Sequence, residues 1–274
     1  MALSANADAA LIVSDDFESY ANTAALQAAW PGASALGTNF DPTPAPLATQ
    51  PNAVTTNLAR INNAVASRSF TAFTGVDWTL DLDVLSEAYA RSQAFGLLDA
   101  AGVNGYLVRW NTTNVDQNSG RGLVVLYRRG DSANTVYAAA NYNQYTGATG
   151  TATGAQLGGT ANSGHPVTGY PVTALGATPS NADQATYGSW AGFAHMQLAY
   201  TASTKTLKLS VDGVQLLSQI DANYTTFGKI VLSGNTFGDF DNVTLNAAVS
   251  VPEPATVVAF GSAGLLLARR RRQA

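Results

Sequence analysis

Short stretches of alternating apolar and polar residues, separated by uncharged polar turns, recur along most of this chain. In residues 78–84, one face carries only apolar side chains, which are Trp78, Leu80, Leu82 and Val84. A period of two residues is typical of a strand with one buried face. No long stretch shows the 3.6-residue period of a helix. The pattern therefore predicts an all-β fold, an antiparallel β-sandwich or jelly roll, over residues 10–248.

Strands are predicted at 65–73, 78–84, 95–98, 105–110, 122–128, 136–140, 191–200, 206–211, 214–220, 229–233 and 240–246. Asp212 and Gly213 form a typical hairpin turn between two of them. Residues 146–164 are rich in Gly, Thr, Ala and Asn and predict a long surface loop. One short helix is predicted at 22–30, with Asn22 or Thr23 as its N-cap.

The composition restricts the classes of function. Charged residues make up 12% of the chain, about half of the usual quarter, which suits strands better than exposed helices. The absence of cysteine excludes disulfides, thiolate zinc sites and cysteine nucleophiles. The chain has 14 basic and 18 acidic residues. Residues 251–274 contain four arginines and Glu253, so the rest of the chain has ten basic and seventeen acidic residues. An acidic body of this kind argues against nucleic-acid binding.

The last 24 residues contain three features in a fixed order. Pro252, Glu253 and Pro254 favour an extended backbone. Ala255–Ala268 carries no charge and predicts a short apolar helix of about 21 Å, which is less than the ~30 Å hydrocarbon core of a bilayer. A cluster of four cations that favours the cytoplasmic side of a membrane follows, consisting of Arg269, Arg270, Arg271 and Arg272.

This order resembles the PEP-CTERM sorting signal of Gram-negative bacteria. The resemblance implies that the tail, residues 249–274, retains an exported protein in the inner membrane until an exosortase cleaves near Pro252, Glu253 and Pro254. It also implies a final location at the cell surface or in the extracellular matrix, in a system that accompanies exopolysaccharide production. Residues 1–9 are interpreted as the remnant of a signal peptide with an Ala-x-Ala box, or else as an unstructured N-terminus.

Three short motifs resemble the concanavalin-A-like, laminin-G-type sandwiches of lectins and glucanases. The motifs are Asp15–Tyr20 with Trp30 downstream, Lys208–Gly213, and Phe240–Leu245. The resemblance implies that the first and last strands lie side by side. It also implies a role in contacting extracellular polysaccharide.

Two clusters of acidic residues lie near the ends of this domain. If the terminal strands pair, Asp16 and Glu18 would meet Asp239 and Asp241, and such carboxylates suit a structural calcium ion. The alternative is that they are solvated strand ends and turn caps.

A glycan-cleaving enzyme is the alternative function on this scaffold. Asp81, Asp83 and Glu87 depart from the Glu-x-Asp-x-x-Glu strand of sandwich glucanases, and Asp81 and Asp83 are expected on the solvent side of their strand. His165 and His195 lack the spacing of a zinc site, and His195 is expected to be a partly buried strand residue. A Ser-His-Asp triad stays an alternative, because its members need not be close in sequence, although no Gly-x-Ser-x-Gly motif supports it.

The middle of the chain is rich in aromatic residues. Tyr142, Asn143 and Tyr145 lie beside the Gly/Thr-rich loop and suit stacking on a sugar and hydrogen bonding to its hydroxyls. Each ring is also a normal core residue of a sandwich. The sequence therefore predicts a non-catalytic exported protein that binds polysaccharide, with a purely structural or adhesive protein as the second possibility.

Overall fold

The computed structural model describes residues 9–37, 57–86, 92–112, 121–130, 133–143, 149–151, 193–235 and 238–248. They form fifteen strands and one helix, α1 (Thr23–Ala29). The strands are β1 (Ala10–Asp15), β2 (Ala35–Gly37), β3 (Leu58–Ile61), β4 (Ala64–Thr74), β5 (Trp78–Ser86), β6 (Ser92–Leu98), β7 (Gly105–Thr112), β8 (Arg121–Gly130), β9 (Ala133–Asn143), β10 (Thr149–Thr151), β11 (Ala194–Thr201), β12 (Thr206–Val211), β13 (Val214–Ile220), β14 (Thr226–Asn235) and β15 (Gly238–Ala247).

The strands form two antiparallel sheets packed face to face. The eight-stranded sheet has the order β13-β12-β11-β5-β15-β3-β2, and β1 also pairs with β15. β15 pairs with β3 through residues 238–240 and with β1 through residues 243–247. The first and last strands therefore lie side by side, and both this adjacency and the predicted antiparallel β-sandwich are confirmed.

The seven-stranded sheet has the order β10-β9-β8-β7-β6-β14-β4. Strands β6 to β10 are consecutive in the chain and form a meander, and β7 is the central strand of the seven. β14 inserts between β6 and β4 and pairs antiparallel with both.

The hydrophobic core lies between the two sheets. β11 alternates strictly between buried and half-buried residues, because every second side chain points into the core. At one end of the core, the Trp78 ring stacks on Tyr200 at 6.0 Å and meets Phe227 of the other sheet edge-on at 5.2 Å. Each large apolar side chain buried in this way contributes about 1.5–3 kcal/mol.

The predicted short helix is confirmed as α1. The Asn22 side chain accepts a hydrogen bond of 3.0 Å from the backbone N–H of Ala25, so Asn22 is the N-cap. The chain then turns at Gly32, whose φ is +93°. A Cβ at Gly32 would lie 2.0 Å from the Val65 carbonyl oxygen, so only glycine fits there.

The predicted hairpin at Asp212 and Gly213 is also confirmed. Both residues have positive φ, 50° and 79°, as the turn that best matches the twist of paired strands requires. The loop predicted at 146–164 is wrong in part, because Thr149–Thr151 forms strand β10 and pairs with β9. Backbone hydrogen bonds at a sheet edge do not require apolar side chains, so this strand carries no alternating pattern.

The sorting tail, its predicted apolar helix and residues 1–8 lie outside the described residues. Among the residues that are described, no helix is both long enough and apolar enough to span a bilayer.

Candidate functional site

The best-defined polar cluster of the described residues lies on the outer face of the eight-stranded sheet. In β5, Leu80 and Leu82 are buried in the core, and Asp81 and Asp83 lie on the opposite face, as predicted. The prediction that both aspartates face solvent is wrong for Asp83, which is only 4% exposed. It is covered because β11 and β15 flank β5 and bring polar side chains against its carboxylate.

His195 of β11 lies between these two aspartates. Its Nδ1 is 2.8 Å from Oδ1 of Asp83 and its Nε2 is 3.6 Å from Oδ1 of Asp81. The nearby carboxylates of Asp81 and Asp83 raise the pKa of His195 to about 10, against the opposing effect of burial. The ring is therefore an imidazolium at neutral pH. Its side chain is 39% exposed, which confirms the prediction of a partly buried strand residue.

Two amide side chains extend this cluster along the sheet. Gln197 Nε2 donates a hydrogen bond of 2.8 Å to Oδ1 of Asp81, and Asn242 Nδ2 donates one of 2.8 Å to Oδ2 of Asp83. The result is a continuous series across β11, β5 and β15, here called the polar row, made of Gln197, Asp81, His195, Asp83 and Asn242.

Local backbone features hold two members of the polar row, Asn242 and His195, in place. Asn242 has a φ of 50° and lies at a register shift between Asp241 and Thr244 of β15, which is a β-bulge. Oδ1 of Asp241 accepts the Asn242 N–H at 2.7 Å and fixes this bulge. At the start of β11, Asp212 accepts the His195 N–H through Oδ1 at 2.9 Å and donates its own N–H to the His195 carbonyl at 2.8 Å.

The geometry limits the chemistry of His195. Both ring nitrogens face carboxylates, so the ring does not have a nitrogen directed at a serine, and a Ser-His-Asp triad through His195 is wrong. A general acid or base works best when its pKa lies near the operating pH, and a histidine with a pKa of about 10 does not meet this condition. The polar row instead presents fixed carboxylate, amide and imidazolium groups that suit hydrogen bonding to hydroxyls.

The carboxylates predicted to share a calcium ion each have a partner of their own. Both oxygens of Asp239 accept hydrogen bonds from Arg60, at 2.8 and 2.7 Å. Asp16 accepts a hydrogen bond of 3.1 Å from the Glu18 N–H, and Glu18 accepts one of 3.0 Å from the Asn57 N–H. Asp241 holds the bulge described above. In the described ranges, no three or more His, Cys, Asp or Glu side chains form a metal-binding group, so the predicted convergence of these four is wrong.

The predicted sugar-stacking residues are only partly within the described chain. Tyr142 and Asn143 lie in β9, where Tyr142 pairs with Thr149 of β10 and with Gly122 of β8. Tyr145 lies outside the described residues, as does His165. Trp110 and Tyr127 are buried, and no aromatic side chain whose burial is described is exposed.

Sequence reasoning missed Gln197, Asn242 and Asp212 as site residues. The only local signal was Asp241-Asn242, a pair of residue types that favours bulges and positive φ. Nothing in the sequence indicated that it lies beside Asp83.

The fold and the polar row together define a two-sheet antiparallel sandwich, with its terminal strands side by side and a hydrogen-bonded polar face. No family model matches the chain, and no curated protein matches it in sequence. Solved structures match its fold, with TM-scores below 0.5. The carbohydrate-binding module CBM66 from Bacillus subtilis has 12% identity and a TM-score of 0.42, and the match covers 79% of this chain and 94% of that one.

Two hydrolases match to a similar extent. The Bacillus licheniformis β-glucanase has 9% identity and a TM-score of 0.42 over 86% of this chain and 97% of its own. A prokaryotic β-1,3-1,4-glucanase (lichenase) derived from a mouse hindgut metagenome has 8% identity and a TM-score of 0.44. The match covers 86% of this chain and 99% of that one. These structures include a binding module and enzymes, so the likeness does not distinguish between binding and catalysis.

Proposed function

We propose that this protein is an exported, non-catalytic surface protein that binds a hydroxyl-rich polysaccharide through the polar row. The observation that carries the proposal is the series of hydrogen bonds and one ion pair across three strands, in which His195 lies between Asp81 and Asp83. Groups that are already fixed lose little conformational entropy when a ligand binds, so such a face favours recognition.

The remaining hydrogen-bonding capacity of the polar row matches that of sugar hydroxyls. A hydrogen bond within the described chain engages Oδ1 of Asp81, and this side chain, which is 21% exposed, has a second oxygen for a ligand. The exposed Asn242 donates to Asp83 through Nδ2 and has a carbonyl oxygen for a ligand. Flanking positions on the same face are also polar and half-buried, and include Thr79, Thr244 and Asn246.

Binding is tested with the full chain on an array of neutral polysaccharides. We expect Asp81→Ala and Asn242→Gly to weaken binding of the selected glycan at least tenfold, measured by calorimetry. Glycine suits the positive φ of residue 242, so Asn242→Gly removes the amide and keeps the bulge. Ser218→Ala, at an exposed position of β13, is the matched control and should bind as the unchanged protein does.

Two outcomes contradict this proposal. Binding to no neutral polysaccharide would favour the structural or adhesive alternative. Release of reducing ends from the bound glycan, abolished by Asp81→Ala, would favour the glycan-cleaving alternative.

We also propose that residues 249–274 direct sorting. The order of Pro252, Glu253 and Pro254, the uncharged segment and the four arginines supports this proposal. The uncharged segment is shorter than a bilayer core and suits transient retention in the inner membrane before an exosortase acts.

The sorting proposal is tested by fusing residues 249–274 to an exported reporter in a host that has exosortase. We expect membrane retention followed by release to the surface, and accumulation of the uncleaved membrane form when Pro252, Glu253 and Pro254 are replaced by alanine. Release that is equal for both fusions would overturn the proposal.

A further inference from the structure

A groove runs along one side of the sandwich, between the edges of the two sheets. It has a volume of about 480 Å³ and is lined by residues 11–13 of β1 and residues 68–72 of β4. In the part of the chain that the structure describes, β4 is the last strand of its sheet and β1 pairs with β15 on one side. The groove thus lies between two strand edges, which are surfaces that pair with a further extended segment.

Both strands depart from regular pairing where they line this groove. In β1, the register against β15 shifts between Leu11 and Val13, so that Ile12 is an extra residue. In β4, the register against β14 shifts between Ser69 and Phe73. Bulges at sheet edges bend the strand and redirect its side chains, and here they occur in both walls of the groove.

The groove presents apolar surface to water. Leu11 is 60% exposed, and Ile12 beside it is half-buried. Across the groove, the half-buried Phe70 ring stacks on Phe73 at 5.5 Å, which fixes the ring in the groove wall. Covering these side chains with another apolar segment would be favourable, because it removes apolar surface from water.

The C-terminal tail leaves the sandwich next to this groove. The described chain ends at residue 248, and Ala247 of β15 lies opposite Ala10, the residue before Leu11. Paired residues of neighbouring strands are about 5 Å apart, so the tail starts close to one end of the groove. Residues 249–254 span up to about 20 Å when extended, which is enough to reach the groove along its whole length.

The first apolar part of the tail matches the groove in length and character. Thr256, Val257, Val258 and Phe260 are residue types that favour strands, and Gly261 follows them. Residues 256–260 are as many as the residues of β4 that line the groove, and five extended residues measure about 17 Å. A short linker gives a tethered segment a millimolar effective concentration, so even a weak contact would be populated.

We propose that residues 256–260 of the intact chain dock in extended form in the groove between β1 and β4. The sandwich then shields the apolar start of its own tail from water. Arg269 follows Phe260 by nine residues, so the four arginines remain outside the groove. This docking depends neither on glycan binding nor on sorting.

The absence of cysteine allows docking to be tested in the full chain by disulfide trapping, in buffer without lipid. Thr71→Cys with Val258→Cys places one thiol in the groove wall and one in the segment. Ser203→Cys with Val258→Cys is the matched control. Ser203 is exposed in the turn after β11, two strands from Ala247 on the side away from the groove. Disulfides need Cα atoms within about 7 Å, so we expect the groove pair to oxidise at least tenfold faster, independently of protein concentration.

Two substitutions in the groove-pair variant test the apolar contact itself. Leu11→Asp should slow oxidation severalfold, because it places a charge against the apolar segment, and Phe260→Asp should have the same effect from the other side. Ile220→Asp is the matched control for Leu11→Asp. It introduces the same charge at another exposed apolar residue, which is 72% exposed on β13, and it should leave the rate unchanged.

Three results would overturn the proposal. Equal oxidation of the two cysteine pairs would mean that the tail does not dock, and a rate that increases with protein concentration would mean that a second copy occupies the groove. Equal slowing by Leu11→Asp and Ile220→Asp would indicate a general effect of charge. The two cysteine pairs use exposed positions of the sandwich, so their comparison stays decisive if Leu11→Asp fails to fold. The test contains no glycan, membrane or exosortase, so its failure is distinct from failure of the proposed function.

Discussion

The indole N–H of Trp30 donates a hydrogen bond of 2.8 Å to Oδ2 of Asp15, and so joins the end of helix α1 to strand β1. The same oxygen accepts the Tyr20 hydroxyl at 2.6 Å and pairs with the guanidinium of Arg68 in β4. Burial, followed by the hydrogen bond to Asp15, raises the pKa of Tyr20 to about 12. One carboxylate therefore connects the first strand, the helix and the edge of the opposite sheet.

We expect Asp15→Ala to lower the free energy of unfolding by about 3 kcal/mol. The substitution leaves the buried Trp30 N–H without its acceptor and Arg68 without its counter-charge. Urea denaturation measures the effect. Asp16→Ala is the control, because Asp16 is exposed and accepts a local hydrogen bond from the Glu18 N–H, and the substitution should lower the free energy of unfolding by less than about 1 kcal/mol. Equal losses in the two variants would contradict the role of Asp15.

The ion pair between Arg60 and Asp239 should stabilise the protein independently of calcium. Asp239 is fully buried and both of its oxygens are bound by Arg60, so Asp239→Ala removes two charge-assisted hydrogen bonds of Arg60 and should lower the free energy of unfolding by about 3 kcal/mol. Thermal unfolding with calcium and with EDTA measures this loss. We expect the same loss in both conditions. A loss that is seen only with calcium would restore the predicted metal site.

The interaction of His195 with its two aspartates should depend on pH. The pKa is raised from 6.5 to about 10, so the stabilisation is fully present below about pH 6.5 and disappears as pH increases through 10. The difference in unfolding free energy between the unchanged protein and His195→Gln should therefore shrink over this range. NMR titration of the imidazole provides a direct check, and Asp83→Asn should lower the measured pKa. A difference that grows with pH would contradict this account.

The turn at Asp212 and Gly213 should tolerate little change at its second residue. A Cβ added at Gly213 meets no atom within 4 Å, so Gly213→Ala causes backbone strain at a φ of 79° and no clash. We expect it to lower the free energy of unfolding by about 1–2 kcal/mol. Denaturant unfolding measures the loss. Gln215→Ala, at an exposed position of the same hairpin, should be within about 0.5 kcal/mol of the unchanged protein. If Gly213→Ala left the free energy of unfolding unchanged, another turn geometry would be available to this hairpin.

Local patterns were sufficient to predict individual elements. The alternation in β5 predicted which of its residues enter the core, and Asn22 predicted the start of α1. β10 was missed because its Thr-Gly-Thr segment owes its strand structure to pairing with β9 and has no apolar face of its own. The calcium prediction failed for a related reason, since sequence shows that Asp239 is acidic but not that Arg60 lies opposite it.

The sequence by itself determined the all-β class, the hairpin at Asp212 and Gly213, and the faces of the strands, because these depend on residues close together in the chain. Only the tertiary structure decided that His195 lies between Asp81 and Asp83, more than 110 residues earlier, and that Arg60 lies opposite Asp239. Strand order decides both arrangements. It is set by the packing of the whole core, and a two-residue alternation carries no information about which strands become neighbours.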